Sequence, residues 1–481
     1  MVGFGFFDDW HPRPGRLISW APTADSRAAV LAAPEHPTGP SYQQREYLRA
    51  AYRQRDSGSR ASRLCMIAFD VPAPLDRAAM TRTVTAFARR HDTFWSWFSC
   101  AGEDRIVRHV ADPADIEFEA RDYGDCAGGE SVRAHVQQQA RGVFDWDCFG
   151  FGVIDRGAEF TVYAAVDHLH TDGVGQALSC VDLLRLYGNE LSGSGVDIEP
   201  VDGHLSYCDR ELAHHTALTA HSPQVRAWLE LLVEHDGSVP SFPMDLGAVA
   251  GGGFTRGAQV TVPLFDEAAA LRFDAVCARS GAKFLGGLFA AIALTEYELT
   301  GREKYFVFTP VNTRTEVGEQ GAIGWFTNLV PVAVTVRPGD TFTALAGRAQ
   351  AAADSGRELA DVGVHRVLEL ADGDPRIRSS LGFAAPMVSY VDVRRMEGAE
   401  MFDKINGGLY GNRASSSEVY LWVNRFPDMT SLSMVFPDTP RAHEAIDRYL
   451  STLTALCGDI AANDRNEVAV AGAEQVAPAS L

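Results

Sequence analysis

From Asp236 to Gly257 the chain carries eight glycines and prolines, including the run Gly251-Gly252-Gly253. Residues that free or lock the backbone at this density interrupt any regular element. On either side lies a hydrophobically patterned stretch of about 230 residues. A single core seldom grows beyond about 250–300 residues, so a chain of 481 residues broken in this way predicts two lobes. The expected boundaries are an N-terminal lobe over 1–235, a crossover over 236–257 and a C-terminal lobe over 258–462. Residues 463–481 lose periodicity and read as a frayed tail.

Helices and strands intermix in both halves. Leu75 to His91 has helical spacing, with Leu75, Ala79, Val84, Phe87 and Ala88 near one face. Asp266 is placed to cap a helix that runs to Ser280, with Gly281 at its end. Val153-Ile154 and Phe160 to Val166 flank Asp155-Arg156-Gly157-Ala158-Glu159, which predicts a hairpin. In its second strand Phe160, Val162, Ala164 and Val166 alternate with polar or small residues, the pattern of one buried face. Gln259–Leu264, Tyr305–Thr309 and Leu329–Val336 are further strand candidates. Without a clean βαβα alternation, the fold class is α/β of the mixed α+β kind.

Charge narrows the partners. With 43 Lys+Arg against 63 Asp+Glu the formal charge is -20, which argues against duplex nucleic acid and against anionic lipid surfaces. The most apolar helical stretch, Leu285 to Leu294, is far short of the roughly 20 residues that span a bilayer. Met1 to Trp10 has two Asp and no Lys or Arg, unlike a signal peptide. The eight cysteines are scattered with no Cys-x-x-Cys pair. Reduced thiols in a cytoplasmic protein are the expectation.

One stretch concentrates chemistry: Val166-Asp167-His168-Leu169-His170-Thr171-Asp172-Gly173-Val174-Gly175. A buried strand ends, a polar cluster follows, and a helix begins near Val174. His168 would stand just past the strand, where a loop can offer an imidazole as proton acceptor to a hydroxyl or amine. Asp172 is placed to cap helix amides or pair with an arginine. Gly173 would allow a tight turn and leave an amide exposed. A solvated loop is the plain alternative. A metal site would need further ligands from elsewhere, and no His-Glu-x-x-His spacing supplies them, so no metal is expected. Gly-x-Ser-x-Gly, Gly-x-x-x-x-Gly-Lys-[Ser/Thr] and Gly-x-Gly-x-x-Gly are all absent.

His168-x-x-x-Asp172-Gly173 resembles the His-His-x-x-x-Asp-Gly signature of the condensation-domain superfamily of acyl-transferring enzymes. Ile323-Gly324-Trp325-Phe326-Thr327-Asn328, Pro310-Val311-Asn312-Thr313-Arg314 and Arg89-Arg90-His91-Asp92-Thr93 are similar to other segments of that superfamily. The chain most resembles the mycobacterial polyketide-associated (Pap) acyltransferases of trehalose-based glycolipids. Asp9-Trp10, Pro40-Ser41-Tyr42-Gln43-Gln44, Ile106-Val107-Arg108-His109, Trp146-Asp147-Cys148-Phe149 and Trp422-Val423-Asn424-Arg425-Phe426 extend that likeness over most of the chain. Asp167 replaces the first histidine of the signature, so a function tied to that position does not carry over. Two departures separate the chain from other branches: Phe94-Trp95-Ser96-Trp97-Phe98 stands where peptide-forming members carry a leucine-arginine pair, and the Asp-Phe-Gly-Trp-Gly motif of plant members is absent.

The resemblance implies two chloramphenicol-acetyltransferase-like lobes in a V, with a tunnel between them and His168 at its centre. His168 would be the base. Asp172, Gly173 and Arg314 would be structural at the active site, with Asp172 paired to Arg314 and the Gly173 region offering an oxyanion donor. Asp167, Trp325 and Asn328 are candidates for substrate or loop positioning, and Asp167 is expected to raise the pKa of His168. The implied activity is O-acyl transfer from acyl-CoA or an acyl carrier protein thioester to a sugar hydroxyl of trehalose or a related disaccharide. Such a co-substrate needs no resident cofactor. The same-fold alternative is a free-standing condensation enzyme that forms amides. An anionic donor would need a local basic mouth, for which Arg105, Arg108, Arg394 and Arg395 are candidates.

Overall fold

A computed structural model describes residues 3–55, 62–126, 128–193, 201–247, 256–396, 399–413 and 417–462. The glycine run at 251–253 and the tail 463–481 lie outside the described residues. The strands are β1 (Gly3–Phe6), β2 (Gly15–Pro22), β3 (Leu64–Val71), β4 (Ser96–Gly102), β5 (Arg105–Val110), β6 (Phe118–Cys126), β7 (Phe149–Asp155), β8 (Phe160–Asp167), β9 (Gly257–Asp266), β10 (Lys304–Asn312), β11 (Thr327–Thr335), β12 (Met387–Asp392), β13 (Gly408–Gly411), β14 (Tyr420–Arg425) and β15 (Met429–Pro437). The helices are α1 (Ala24–Leu31), α2 (Tyr42–Gln54), α3 (Arg77–Arg90), α4 (Gly129–Gln139), α5 (Gly173–Ser192), α6 (His204–Ala217), α7 (Pro223–Glu234), α8 (Glu267–Arg279), α9 (Phe284–Thr300), α10 (Phe342–Arg357), α11 (Val364–Leu370), α12 (Ala399–Lys404) and α13 (Pro440–Ala462).

The chain divides into two units. The first comprises Met1–Leu218, Asn312–Thr327 and Glu397–Ala414; the second comprises Thr219–Val311, Asn328–Met396 and Ser415–Leu481. This differs from the continuous lobes expected from sequence. α7, expected in the lobe over 1–235, belongs to the second unit, where Trp228 packs edge-on against Phe308 at 5.8 Å. Residues 312–327 and 397–414 belong to the first unit because their bonds are made there. β13, for example, pairs with β1 and β3.

In the first unit a seven-stranded mixed sheet has the order β1-β13-β3-β8-β7-β2-β6. The hairpin of β7 and β8 forms as its sequence predicts, with Asp155 opposite Phe160 and Gly157 at φ +84. β8 is buried along all eight residues rather than on one face. The reason is its central place: Tyr163 and Ala165 share an apolar cluster with Val132 and Val136 of α4, while Phe160 meets Tyr187 of α5 edge-on at 5.7 Å. α3 begins two residues later than its periodicity suggests because Asp76 accepts the Ala79 amide at 2.9 Å and so becomes the N-cap.

In the second unit a six-stranded sheet runs β11-β10-β12-β14-β15-β9. Asp266 caps α8 through the Ala269 amide at 2.7 Å, and Gly281 takes φ +69 at its end. α9 carries the most apolar stretch and is buried on nearly every side, packed with α8, α10 and α13 in one large core. Among the described residues no single helix is long and apolar enough to cross a membrane.

Candidate active site

β8 ends at Asp167, five residues turn, and α5 starts at Gly173 with Asp172 as its N-cap. The turn is bolted from both ends. The His168 amide donates to the Arg63 carbonyl at 2.8 Å, which ties it to the residue preceding β3. The Asp172 carboxylate accepts from the Gly175 amide at 2.7 Å.

Asp172 meets Arg314, 142 residues further on, in a two-pronged contact of 2.9 and 3.1 Å. Both side chains are almost wholly buried. Asp172 also accepts from the Phe326 amide at 2.9 Å. Arg314 in turn donates to the Ala322 carbonyl at 3.2 and 3.0 Å and to Asn312 Oδ1 at 3.2 Å, and lies over the Phe326 ring at 4.3 Å. Nearly every lone pair and N–H of the pair is therefore spent within the loop and its neighbour, as a bound ion pair requires once it leaves water.

His168 is half-buried, with its ring centroid 4.3 Å from that of Trp325. Nδ1 is buried and makes no hydrogen bond of acceptable geometry among the described residues, although the carbonyls of His168 and Thr171 lie close enough to act on the ring. Burial, and secondarily the Arg63 guanidinium, lowers the His168 pKa to about 4. At neutral pH the imidazole is thus unprotonated and can accept a proton. The expectation that Asp167 raises this pKa does not hold. The carboxylate that offsets the lowering is Asp172, while Asp167 is spent elsewhere. It is fully buried and accepts from Ser62 Oγ at 2.6 Å, the Leu169 amide at 2.9 Å and Tyr47 Oη at 3.2 Å.

His170 points into the core. Its Nδ1 contacts Thr93 Oγ1 at 2.9 Å, and burial lowers its pKa to about 3, so it is a packing residue. The Arg89–Thr93 segment supports the site from behind. Asp92 accepts the His204 and Leu205 amides at 2.7 and 2.8 Å, and His91 accepts the Ile323 amide at 3.4 Å. Gly173 sits in open space outside the left-handed region, so no turn geometry demands a glycine there. The glycine that packing requires is Gly175, where a Cβ would lie 2.6 Å from Thr171 Oγ1. As the first helical residue, Gly173 has an amide with no acceptor inside α5. Among the described residues no group of three or more His, Cys, Asp or Glu could hold a metal ion.

A family model described as Condensation domain matches residues 41–402. The chain belongs to the condensation-domain family. It is 36% identical over 460 residues to the 2'-acyl-2-O-sulfo-trehalose (hydroxy)phthioceranyltransferase PapA1 of Mycobacterium bovis, a match that covers 94% of this chain and 88% of that protein. Acyltransferase PapA3 of Mycobacterium tuberculosis is 32% identical over 469 residues, covering 96% and 98%. Among solved structures, the PapA2 acyl transferase superposes with a TM-score of 0.87 at 33% identity, covering 96% of this chain and 100% of that one. The chain is an acyltransferase of mixed α+β condensation-domain fold, closely related to the mycobacterial Pap enzymes.

In this condensation-domain protein His168, Asp172, Gly173, Arg314, Asp167 and Trp325 all fall in the first unit. Asn328 falls in the second, where its amide donates to the Ala360 carbonyl at 2.8 Å and its Oδ1 accepts from the Leu329 amide at 2.9 Å. The expected basic residues fare poorly. Arg108 is 1% exposed and spends its guanidinium on the Gly39 carbonyl, Ser96, Gln44 and Cys208, and so presents no surface charge. Arg394 and Arg395 both pair with Asp392, and Arg105 alone of the four is an exposed strand residue with no ion-pair partner among the described residues. Sequence reasoning missed Tyr47 and Ser62, which meet Asp167 from 120 and 105 residues away. The only local signal was that Tyr47 lies on the buried face of α2 behind the Ser41–Gln44 capping box.

Proposed function

We propose that the protein is an O-acyltransferase that moves an acyl group from acyl-CoA or a carrier-protein thioester to a hydroxyl of trehalose or a related disaccharide. The observation that carries this reading is near full-length similarity to PapA1, a 2'-acyl-2-O-sulfo-trehalose (hydroxy)phthioceranyltransferase, joined to an unprotonated His168 in the turn between β8 and α5. His168 takes the hydroxyl proton as the oxygen attacks the thioester carbonyl. With its pKa lowered to about 4 the ring is neutral at neutral pH, so one ring nitrogen keeps a lone pair for the acceptor proton. Base assistance of this type is worth about 10²–10⁴-fold.

The Gly173 amide is the proposed donor to the tetrahedral oxyanion, whose collapse expels the thiolate. Asp172 and Arg314 hold the loop and touch no reacting atom. Asp167 and Trp325 position the loop and the ring, and Asn328 is proposed to order the start of β11. The finer architecture, two chloramphenicol-acetyltransferase-like lobes in a V with donor and acceptor entering a tunnel from opposite faces, is proposed from the family likeness. A mass-spectrometric screen that pairs acyl-CoAs of different length with trehalose, its sulfated form, other sugars and simple amines tests the reading. Ester products on a disaccharide are expected. A preference for amines would replace the sugar-ester assignment with amide formation.

A further inference from the structure

Asp167 stands where the superfamily signature has a histidine, and its carboxylate has a partner that connects it to both supports of His168. Tyr47, on α2, is 9% exposed. Its hydroxyl donates to Asp167 Oδ2 at 3.2 Å while it accepts the Arg63 amide at 2.8 Å. Arg63 is the residue whose carbonyl receives the His168 amide. The Tyr47 ring meets Trp325 edge-on at 5.7 Å and 74°, and Trp325 is the ring that walls the imidazole at 4.3 Å. Tyr47, Leu169 and Trp325 share one apolar cluster, so displacement of one is felt by the others.

We propose that Tyr47 is a positioning residue for acyl transfer, tying Asp167 to the chain entering β3 and holding Trp325 against the imidazole of His168. The proposal rests on the reading of His168 as the base. Its chemistry is specific. Three donors converge on Asp167, namely Ser62 O–H, the Leu169 amide and Tyr47 O–H. An ionised carboxylate accepts all three, whereas a protonated carboxyl carries a donor of its own and crowds one of them out. A histidine could not accept three.

Asp167 therefore holds the strut when ionised and loosens it on protonation. The titratable groups that face it are Tyr47 from α2, Cys65 from β3, Cys148 beside β7, and His168 and Arg63 next to the turn. Burial raises the Asp167 pKa to about 6, against the lowering effect of its hydrogen bonds from Ser62, Leu169 and Tyr47. With the native pKa above the unfolded one, the sign is fixed: ionisation of Asp167 as pH rises through about 6 lowers its contribution to stability while it engages the strut.

The test compares Tyr47→Phe, Ser62→Ala, Asp167→Asn and His168→Ala with the parent, using the acyl-CoA and disaccharide pair that the screen returns. In Tyr47→Phe the ring stays and the hydroxyl goes. A fall in kcat of about 10–100-fold is expected, the scale of a small misplacement of a reacting group, with both KM values within about threefold. The parent should lose kcat on the acid side through two steps, near 6 from Asp167 and near 4 from His168. Tyr47→Phe and Ser62→Ala each remove a donor to the ionised form, so the upper step moves to higher pH; Asp167→Asn abolishes it. An unmoved upper step in both Tyr47→Phe and Ser62→Ala, or a change in KM alone, overturns the proposal. The two readings separate cleanly: active His168→Ala sinks the base assignment, while inactive His168→Ala with a parent-like Tyr47→Phe sinks the strut alone.

Discussion

Replacing Asp172 with Ala is the sharpest probe of how the loop is held. The carboxylate receives both prongs of Arg314, the Gly175 amide that caps α5, and the Phe326 amide. Its loss leaves the Arg314 guanidinium in a site where its side chain has no solvent exposure, bonded only to neutral oxygens. Breaking a buried pair in this way costs about 3–5 kcal/mol, and loss of an N-cap adds roughly 1 kcal/mol. These two overlap, so about 4 kcal/mol is the working figure for the variant. For a unit of about 250 residues, 1 kcal/mol moves Tm by about 2–4 °C, so a fall of about 8–16 °C is expected. Differential scanning calorimetry at fixed scan rate reads it, with transfer rate measured on the same samples. Arg314→Ala should fall somewhat less, because the stranded carboxylate keeps two backbone donors. The double variant should melt near the worse single, as interacting partners do. A Tm within 2 °C of the parent alongside a large loss of rate would refute this reasoning and move Asp172 from structure to chemistry, where ~2 °C marks less than about 1 kcal/mol.

His168→Ala should abolish transfer with little change in melting, since Nδ1 makes no hydrogen bond among the described residues; near-parent turnover would remove it as the base. Gly173→Pro should fold normally, because proline suits the first helical position and the preceding Asp172 is extended at φ -131 and ψ -174. If its amide is the oxyanion donor, kcat falls about 10²–10³-fold; unchanged turnover assigns the oxyanion to another donor. Gly175→Ala should destabilise by about 1–3 kcal/mol through overpacking against Thr171, whereas Gly173→Ala should not, as thermal melts will show. His170, lowered to about 3 in the fold, loses its contribution to stability as pH falls from about 6.5 through 3. His170→Asn removes that loss, so its Tm relative to the parent should improve steadily over this acid range; a constant difference would contradict the burial that sets the shift.

What could be read from sequence divides along the range of the interactions. The hairpin of β7 and β8, the Asp266 cap and the turn that carries His168 follow from residues within a few positions of one another. The Asp172–Arg314 pair crosses 142 residues, and only family resemblance could suggest it. Asp167 was visible as an oddity, but its partners Ser62 and Tyr47 lie on other elements, and nothing in their spacing points to it. β8 looked one-sided because alternation reports polarity and says nothing about whether a second helix layer covers the small residues. Arg108 illustrates the reverse error. A charge in a sequence reads as surface, yet this one is swallowed by Gly39, Ser96, Gln44 and Cys208.

The first unit draws on three separated pieces of chain, and this has a bearing on how the molecule is made. A nascent polypeptide that has emerged as far as residue 311 holds His168 and Asp172 but neither Arg314 nor β13. At that stage a carboxylate destined for burial has no countercharge, and β1 and β3 each present an unpaired edge where β13 will later sit. The unit closes only when residues 408–411 have left the ribosome, so most of the second unit is synthesised while the first still waits. Half-chains are accordingly poor candidates for separate expression, and the turn that carries His168 gains Arg314 and Trp325 only after β10 has been made.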